Sequence, residues 1–171
     1  MRHHMKTRAM QSWVAAGATL AFGWGVMGQG LFTFTNAQPP KGSPLVGCDG
    51  KPVSGPDYRV DVAAHNPATG GWDDGVETPG KNGSWTKLGP VPLLEGKLPG
   101  YFQGGTVRVP FVAPGQEARL RIRAWLATGG VGYEQAKVRF ETNMVVMLGG
   151  VGQPPSFPAR LRNFPTLRLC P

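Results

Sequence analysis

Histidine, cysteine and acidic residues are the scarce materials of this chain. Two of its three histidines, His3 and His4, fall in the first four residues, which leaves His65 as the only one in the remaining sequence. His65 follows a strand-like run and precedes Asn66-Pro67, so it reads as a turn residue. Ser43, Ser54, Ser84 and Ser156 sit among glycines and prolines without the Gly-x-Ser-x-Gly setting of a nucleophile elbow. No pattern pairs two carboxylates for glycoside hydrolysis, and no Cys/His set has zinc-ligand spacing. Helix-turn-helix, zinc-finger and RNA-binding-strand motifs are absent, which removes nucleic acid from the expected partners. With so little catalytic material, the chain is read as a non-enzyme that needs no cofactor.

Regular helix periodicity is lacking too. Gly 26 and Pro 17 make up about a quarter of 171 residues. Apolar runs nonetheless recur along the chain, so a loop-rich β protein fits better than disorder. Strands are expected at Leu31–Thr35, Asp57–His65, Thr106–Val112, Glu117–Ala127 and Thr142–Leu148, with a last one in Leu161–Cys170. Asp57–His65 alternates cleanly: Tyr58, Val60, Val62 and Ala64 on one face, Asp57, Arg59, Asp61 and Ala63 on the other. Pro110 makes its strand an edge or ends it. Thr142–Leu148 looks buried, and Glu134–Val138 suits one short helical turn. Asn36–Pro56 and Asn66–Pro90 are long turn-rich connections, the latter with at most short strands. Six to eight short strands without βαβ alternation or repeats predict an all-β, antiparallel β-sandwich, Ig-like or jelly-roll-like, with a small barrel as the alternative.

The N-terminus carries Arg2, Lys6 and Arg8, then a charge-free run to Gly28. Residues 1–28 read as an export signal cleaved after Gly28, and 29–171 as a single β-sandwich domain. An uncleaved membrane anchor is the alternative. Once the signal is cleaved, no membrane span is expected to remain. The only cysteines are Cys48 and Cys170, and an oxidising compartment would favour their pairing. Two free thiols or an intermolecular bridge are the other readings.

Charge is unevenly spread. Residues 29–100 hold six Lys/Arg and seven Asp/Glu, whereas residues from Tyr101 onward hold nine Lys/Arg and three Glu, a net +6. Arg119, Arg121 and Arg123 alternate with Leu120, Ile122 and Ala124, which places the guanidiniums on one strand face about 6–7 Å apart. That row is a solvated face with acidic neighbours, a cationic patch for acidic polymer, or a contact to another protein. Trp125 falls in phase with it. Trp72, Trp85, Tyr101 and Phe102 lie in loop-like segments, where they pack in the core or as lids on the sandwich ends, or stack on sugar rings. Asp73, Asp74 and Glu77 are close enough in sequence to be considered for Ca²⁺, but they lack EF-hand spacing. A solvated acidic loop is the preferred reading, with no metal.

The segments "GGTVRVPFVAPGQEARLRIRAW", "GYEQA" and "TNMVVMLGGVGQPPSFPARLRNFPTLRL", with the opening "GQGLFTFTN", resemble a family of uncharacterised exported bacterial β-sandwich proteins. The likeness covers about Gly104–Leu169 and the first strand; residues 37–99 share only a loose layout. Members often carry a PEP-CTERM-type sorting tail, whereas this sequence ends in "LCP". The resemblance implies a secreted sandwich and supplies no catalytic residue.

The expectation is therefore a secreted, non-catalytic structural or adhesion module, located extracellularly, in the periplasm or on the outer surface. Its partners would be extracellular polysaccharide or another cell-surface protein. A carbohydrate-binding module using Trp72, Trp85 and Tyr101 is second, and a hydrolase third.

Overall fold

The computed structural model describes residues 29–37, 42–96, 98–150 and 156–170. The expected signal segment, 1–28, lies outside the described residues. Twelve strands form: β1 Gly30–Thr35, β2 Val46–Gly47, β3 Tyr58–Asn66, β4 Gly71–Asp73, β5 Glu77–Pro79, β6 Trp85–Lys87, β7 Val91–Pro92, β8 Gln103–Val109, β9 Glu117–Leu126, β10 Arg139–Met147, β11 Ala159–Arg160 and β12 Arg168–Leu169. Helical structure among the described residues is confined to short 3₁₀ turns. One of these, Tyr133–Gln135, overlaps the turn expected over Glu134–Val138 only at Glu134 and Gln135.

Two sheets face each other. The first has the order β11-β1-β8-β5-β6. The second has the order β10-β9-β3-β4, with β7 pairing the other end of β3. Alternation sends Phe32 and Phe34 of β1 and Val107 and Val109 of β8 inward. Opposite them lie Val60, Val62 and Ala64 of β3 and Leu120, Ile122 and Ala124 of β9. All are buried in one contiguous apolar core, as the period of two requires of half-buried strands. The fold is thus an all-β sandwich, and its free strand edges exclude a closed barrel.

A two-stranded parallel ribbon, β2 with β12, and the residues beside it add Leu45, Leu167 and Leu169 to the same core. Its register pairs Arg168 with Val46 and Leu169 with Gly47. The next residues, Cys170 and Cys48, form a disulfide at a Cα–Cα distance of 5.2 Å, within the normal range for such a bridge.

Two local expectations change, the number of strands and the setting of β10. Seven of the twelve strands have only two or three residues, too short to leave a periodic signal. Of the two roles expected for Pro110, it takes the second: β8 ends at Val109, and the strand is internal, between β1 and β5. Phe102 packs in the core, as one of its expected roles had it: it is fully buried, with its ring 4.7 Å from that of Phe34 and 5.7 Å from that of Phe164. The apolar run in β10 is not a buried strand. Strand β10 is an edge, with Val145 54% and Met147 61% exposed. An apolar run alone does not distinguish a central strand from an uncovered one.

Two glycines shape the join of the sheets to the first loop. Gly105 has φ +76° and sits where the β1–β8 register slips between Phe34 and Thr35, a bulge that favours glycine. Gly100 has φ +79°, and a Cβ there would meet the Leu45 carbonyl at 2.5 Å. Its own carbonyl accepts from Leu45 N at 2.8 Å and from Asn36 Nδ2 at 2.9 Å.

Candidate functional site

The outer face of the second sheet gathers the arginine row with Trp72 and Trp125. Strand β9 lies between β3 and β10, with Arg123 opposite Asp61 on one side and Glu141 on the other. Arg121 stands between Ala63 and Asn143, and Arg119 opposite Val145. Alternation fixes this face: once Leu120 and Ile122 point inward, the arginines must point outward.

The three guanidiniums are not equivalent. Arg123 makes a two-pronged bond to Asp61, Nε to Oδ1 at 3.0 Å and Nη2 to Oδ2 at 2.7 Å. The two side chains are 17% and 18% exposed. Arg123 also lies 3.6 Å from Glu134 and stacks on Tyr133 at 4.9 Å. The hydrogen bond to Asp61 holds its guanidinium pKa above the ordinary arginine value. Arg121 lies over the Trp72 ring at 5.1 Å and 4.0 Å from Glu141. Its Nε is shielded from solvent and finds no acceptor among the described residues. Arg119 is exposed and forms no ion pair among the described residues. The row is therefore one fixed ion pair, one stacked cation and one open cation, rather than three free charges. Replacing both Asp61 and Arg123 by alanine in a double-mutant cycle is expected to yield about 1–2 kcal/mol of coupling by urea denaturation. Coupling near zero would make the pair an ordinary surface bridge.

Trp125 is buried although it shares the outward phase. The 127–138 segment covers it: its indole Nε1 donates to Val131 O at 3.1 Å, and its ring meets Tyr133 edge-on at 5.9 Å. Tyr133 in turn carries Arg139 at 5.4 Å. Burial first, then the Glu141 charge, raises the Tyr133 phenol pKa above its ordinary value.

The aromatic candidates are dispersed. Trp72, 36% exposed, lies on β4 opposite His65, whose ring it meets edge-on at 5.7 Å. Trp85 lies on β6 in the first sheet, under the Arg108 guanidinium at 4.5 Å. Arg108 is also bonded through Nε to Glu77 at 2.6 Å. Tyr101 is half-buried, and its hydroxyl donates to Gly42 O at 3.4 Å. Trp72, Trp85 and Tyr101 thus form no common platform. The acids separate likewise. Asp73 accepts from Gly75 N at 2.7 Å, Asp74 pairs with Lys87 at 2.7 Å, and Glu77 holds Arg108. The Lys87 hydrogen bond lowers the Asp74 pKa. Among the described residues, no group of three or more His, Cys, Asp or Glu is placed to hold a metal ion.

Beside Trp72, an open depression of about 350 Å³ is lined by His65, Pro67, Phe111, Gln116, Glu117 and Arg119. The sequence suggested neither His65 nor Phe111 for this place. The only available signal was phase, since His65 is outward on β3 by the same alternation that exposes Asp61.

No protein-family profile, curated protein or solved structure matches this chain. Among the described residues, no helix is long and apolar enough to cross a membrane.

Proposed function

We propose that the protein is an exported, non-catalytic structural or adhesion module that presents the outer face of the second sheet as a rigid binding surface. The observation that carries this reading is the Arg123–Asp61–Glu134–Tyr133 network with its neighbouring Arg121–Trp72 stack. These side chains are committed to one another, and they fix a surface instead of converging on a reacting atom. The Cys48–Cys170 bridge fits an oxidising extracellular or periplasmic setting. In the producing cell the protein is expected outside the cytoplasm, with isolated envelopes co-sedimenting it in a salt-sensitive way. Even distribution between envelope and supernatant at low salt would sink the reading.

Carbohydrate binding is the second reading, favoured by the His65–Arg119 depression, whose His65 ring meets the part-exposed Trp72 edge-on. On a glycan array, Trp72→Ala should then weaken binding about tenfold. Trp85→Ala, in the opposite sheet, should leave it unchanged. Equal losses for both variants, or no glycan bound at all, would remove this reading.

A further inference from the structure

The open side of the sandwich differs from the arginine face in both backbone and charge. Strand β10 hydrogen-bonds to β9 along one side only. Leu126 N donates to Val138 O and Leu148 N donates to Gln116 O, just beyond each end of the ladder. In an antiparallel pair, residues that bond the partner alternate with residues whose backbone groups point away. Even-numbered residues of β10 therefore bond β9. The N–H and C=O groups of Glu141, Asn143, Val145 and Met147 point off the edge, and they have no backbone partner among the described residues. The charges of β10, Arg139 and Glu141, lie in its first three residues; Asn143–Met147 contains no charge and no proline, so two of the devices that keep an edge from pairing are missing from that stretch.

Below this edge runs a groove of about 400 Å³, lined by Met144, Val146 and Met147 on one side and by Ala159, Arg160 and Arg162 on the other. Arg160 and Arg162 are exposed and form no ion pair among the described residues. The sequence contains no Asp or Glu after Glu141. Arg123 has Asp61 and Arg108 has Glu77, but nothing in this stretch supplies an equivalent carboxylate.

We propose that the β10 edge accepts an extended segment of a partner protein as an added strand, with acidic side chains at alternate positions directed at Arg160 and Arg162. The backbone ladder selects a polypeptide over a polysaccharide, because only another main chain offers N–H and C=O groups at matching spacing. The unpaired arginines select acid. They also oppose self-association, since a second copy added at this edge brings its own Arg160 and Arg162 to the same side. The proposal is independent of the function proposed for the outer face.

The test uses the purified disulfide-bonded protein and synthetic peptides of about eight to ten residues, alternating Thr with Glu or Thr with Lys. Amide hydrogen exchange should show Asn143, Val145 and Met147 exchanging fast in the free protein. They should slow about tenfold or more when the Thr/Glu peptide is added. Fluorescence anisotropy should show binding of the Thr/Glu peptide at least about tenfold tighter than the Thr/Lys peptide. Binding should be lost when alternate peptide nitrogens are methylated. Arg160→Glu with Arg162→Glu should reverse the peptide preference. Val145→Pro, which removes an outward N–H without touching the β9 ladder, should weaken binding while the exchange of even-numbered amides stays slow. Slow exchange of the odd-numbered amides in the free protein, undiminished binding of the methylated peptide, or indifference to the two arginine reversals would each overturn the proposal. So would sedimentation showing a dimer that Val145→Pro dissociates, because a second copy would then be the occupant.

Discussion

Asn36→Ala is expected to destabilise the protein by about 2–4 kcal/mol, measured as a lower urea midpoint at unchanged slope. Asn36 is 1% exposed. Its Oδ1 accepts from Phe102 N at 2.8 Å, and its Nδ2 donates to Ser43 O at 2.8 Å and Gly100 O at 2.9 Å. The losses on truncation are unequal. Gly100 O keeps its bond from Leu45 N, and Ser43 O is near enough to solvent to find water. Phe102 N–H, buried beside the aromatic core, is left without an acceptor, and that orphaned donor dominates the cost. Asn36→Asp supplies an independent check. A carboxylate keeps the bond to Phe102 N–H but faces the two carbonyls that the amide satisfied. Its pKa should therefore rise above the ordinary aspartate value. A raised folded-state pKa gives stability that is present at low pH and lost as pH rises through that value. The deficit of Asn36→Asp relative to wild type should accordingly shrink on acidification, while that of Asn36→Ala should not. A cost below about 1 kcal/mol for Asn36→Ala would mean that the segment around Ser43 can detach without disturbing the core.

Removing the disulfide should have an effect of comparable or larger size. With a sequence separation of 122 between Cys48 and Cys170, the chain-entropy account gives about 4–5 kcal/mol for the cross-link. Cys48→Ser with Cys170→Ser, or reduction of the wild type, should lower thermal stability and expose β12 to protease first. The bridge closes a ribbon of only two residue pairs, which has little ladder energy of its own. Leu167 and Leu169 are nonetheless buried, so detaching this strand opens the core beneath it. A melting temperature unaffected by reductant would contradict this account, as would two free thiols by mass under non-reducing conditions.

The sequence disclosed the long strands better than their neighbours. The Tyr58–Asn66 and Glu117–Leu126 strands were legible because alternation is local: Val60, Val62, Leu120 and Ile122 declare an inner face, and the arginine row follows from it. Strand order is not local. Nothing around Arg123 indicated that Asp61 would lie across from it, or that Tyr133 would lie under it. Trp72 and Trp85 are thirteen positions apart, yet they stand on opposite sheets, because the chain crosses the sandwich between β4 and β5. Asn36 was read as the start of a turn-rich connection. Its value as a clamp depends on Gly100 and Phe102, more than sixty residues away. The bareness of the β10 edge was equally hidden, since Met-Val-Val-Met is as apolar as a central strand.

The parallel contacts at the margins of the sandwich bear on the order in which the fold can be completed. Phe32 aligns with Ala159, and Val46 with Arg168, so residues near the beginning of the described chain wait for partners near its end. Contacts of such long sequence separation are reached only after a large loop-closure cost, and sheets that depend on them assemble slowly. A chain delivered N-terminus first would hold Phe32 and Phe34 without their full cover until the last strands arrived. During that interval the early strands would be open to mispairing with other chains. Completion of the sandwich thus waits on the C-terminal strands, which the Cys48–Cys170 cross-link then holds in place.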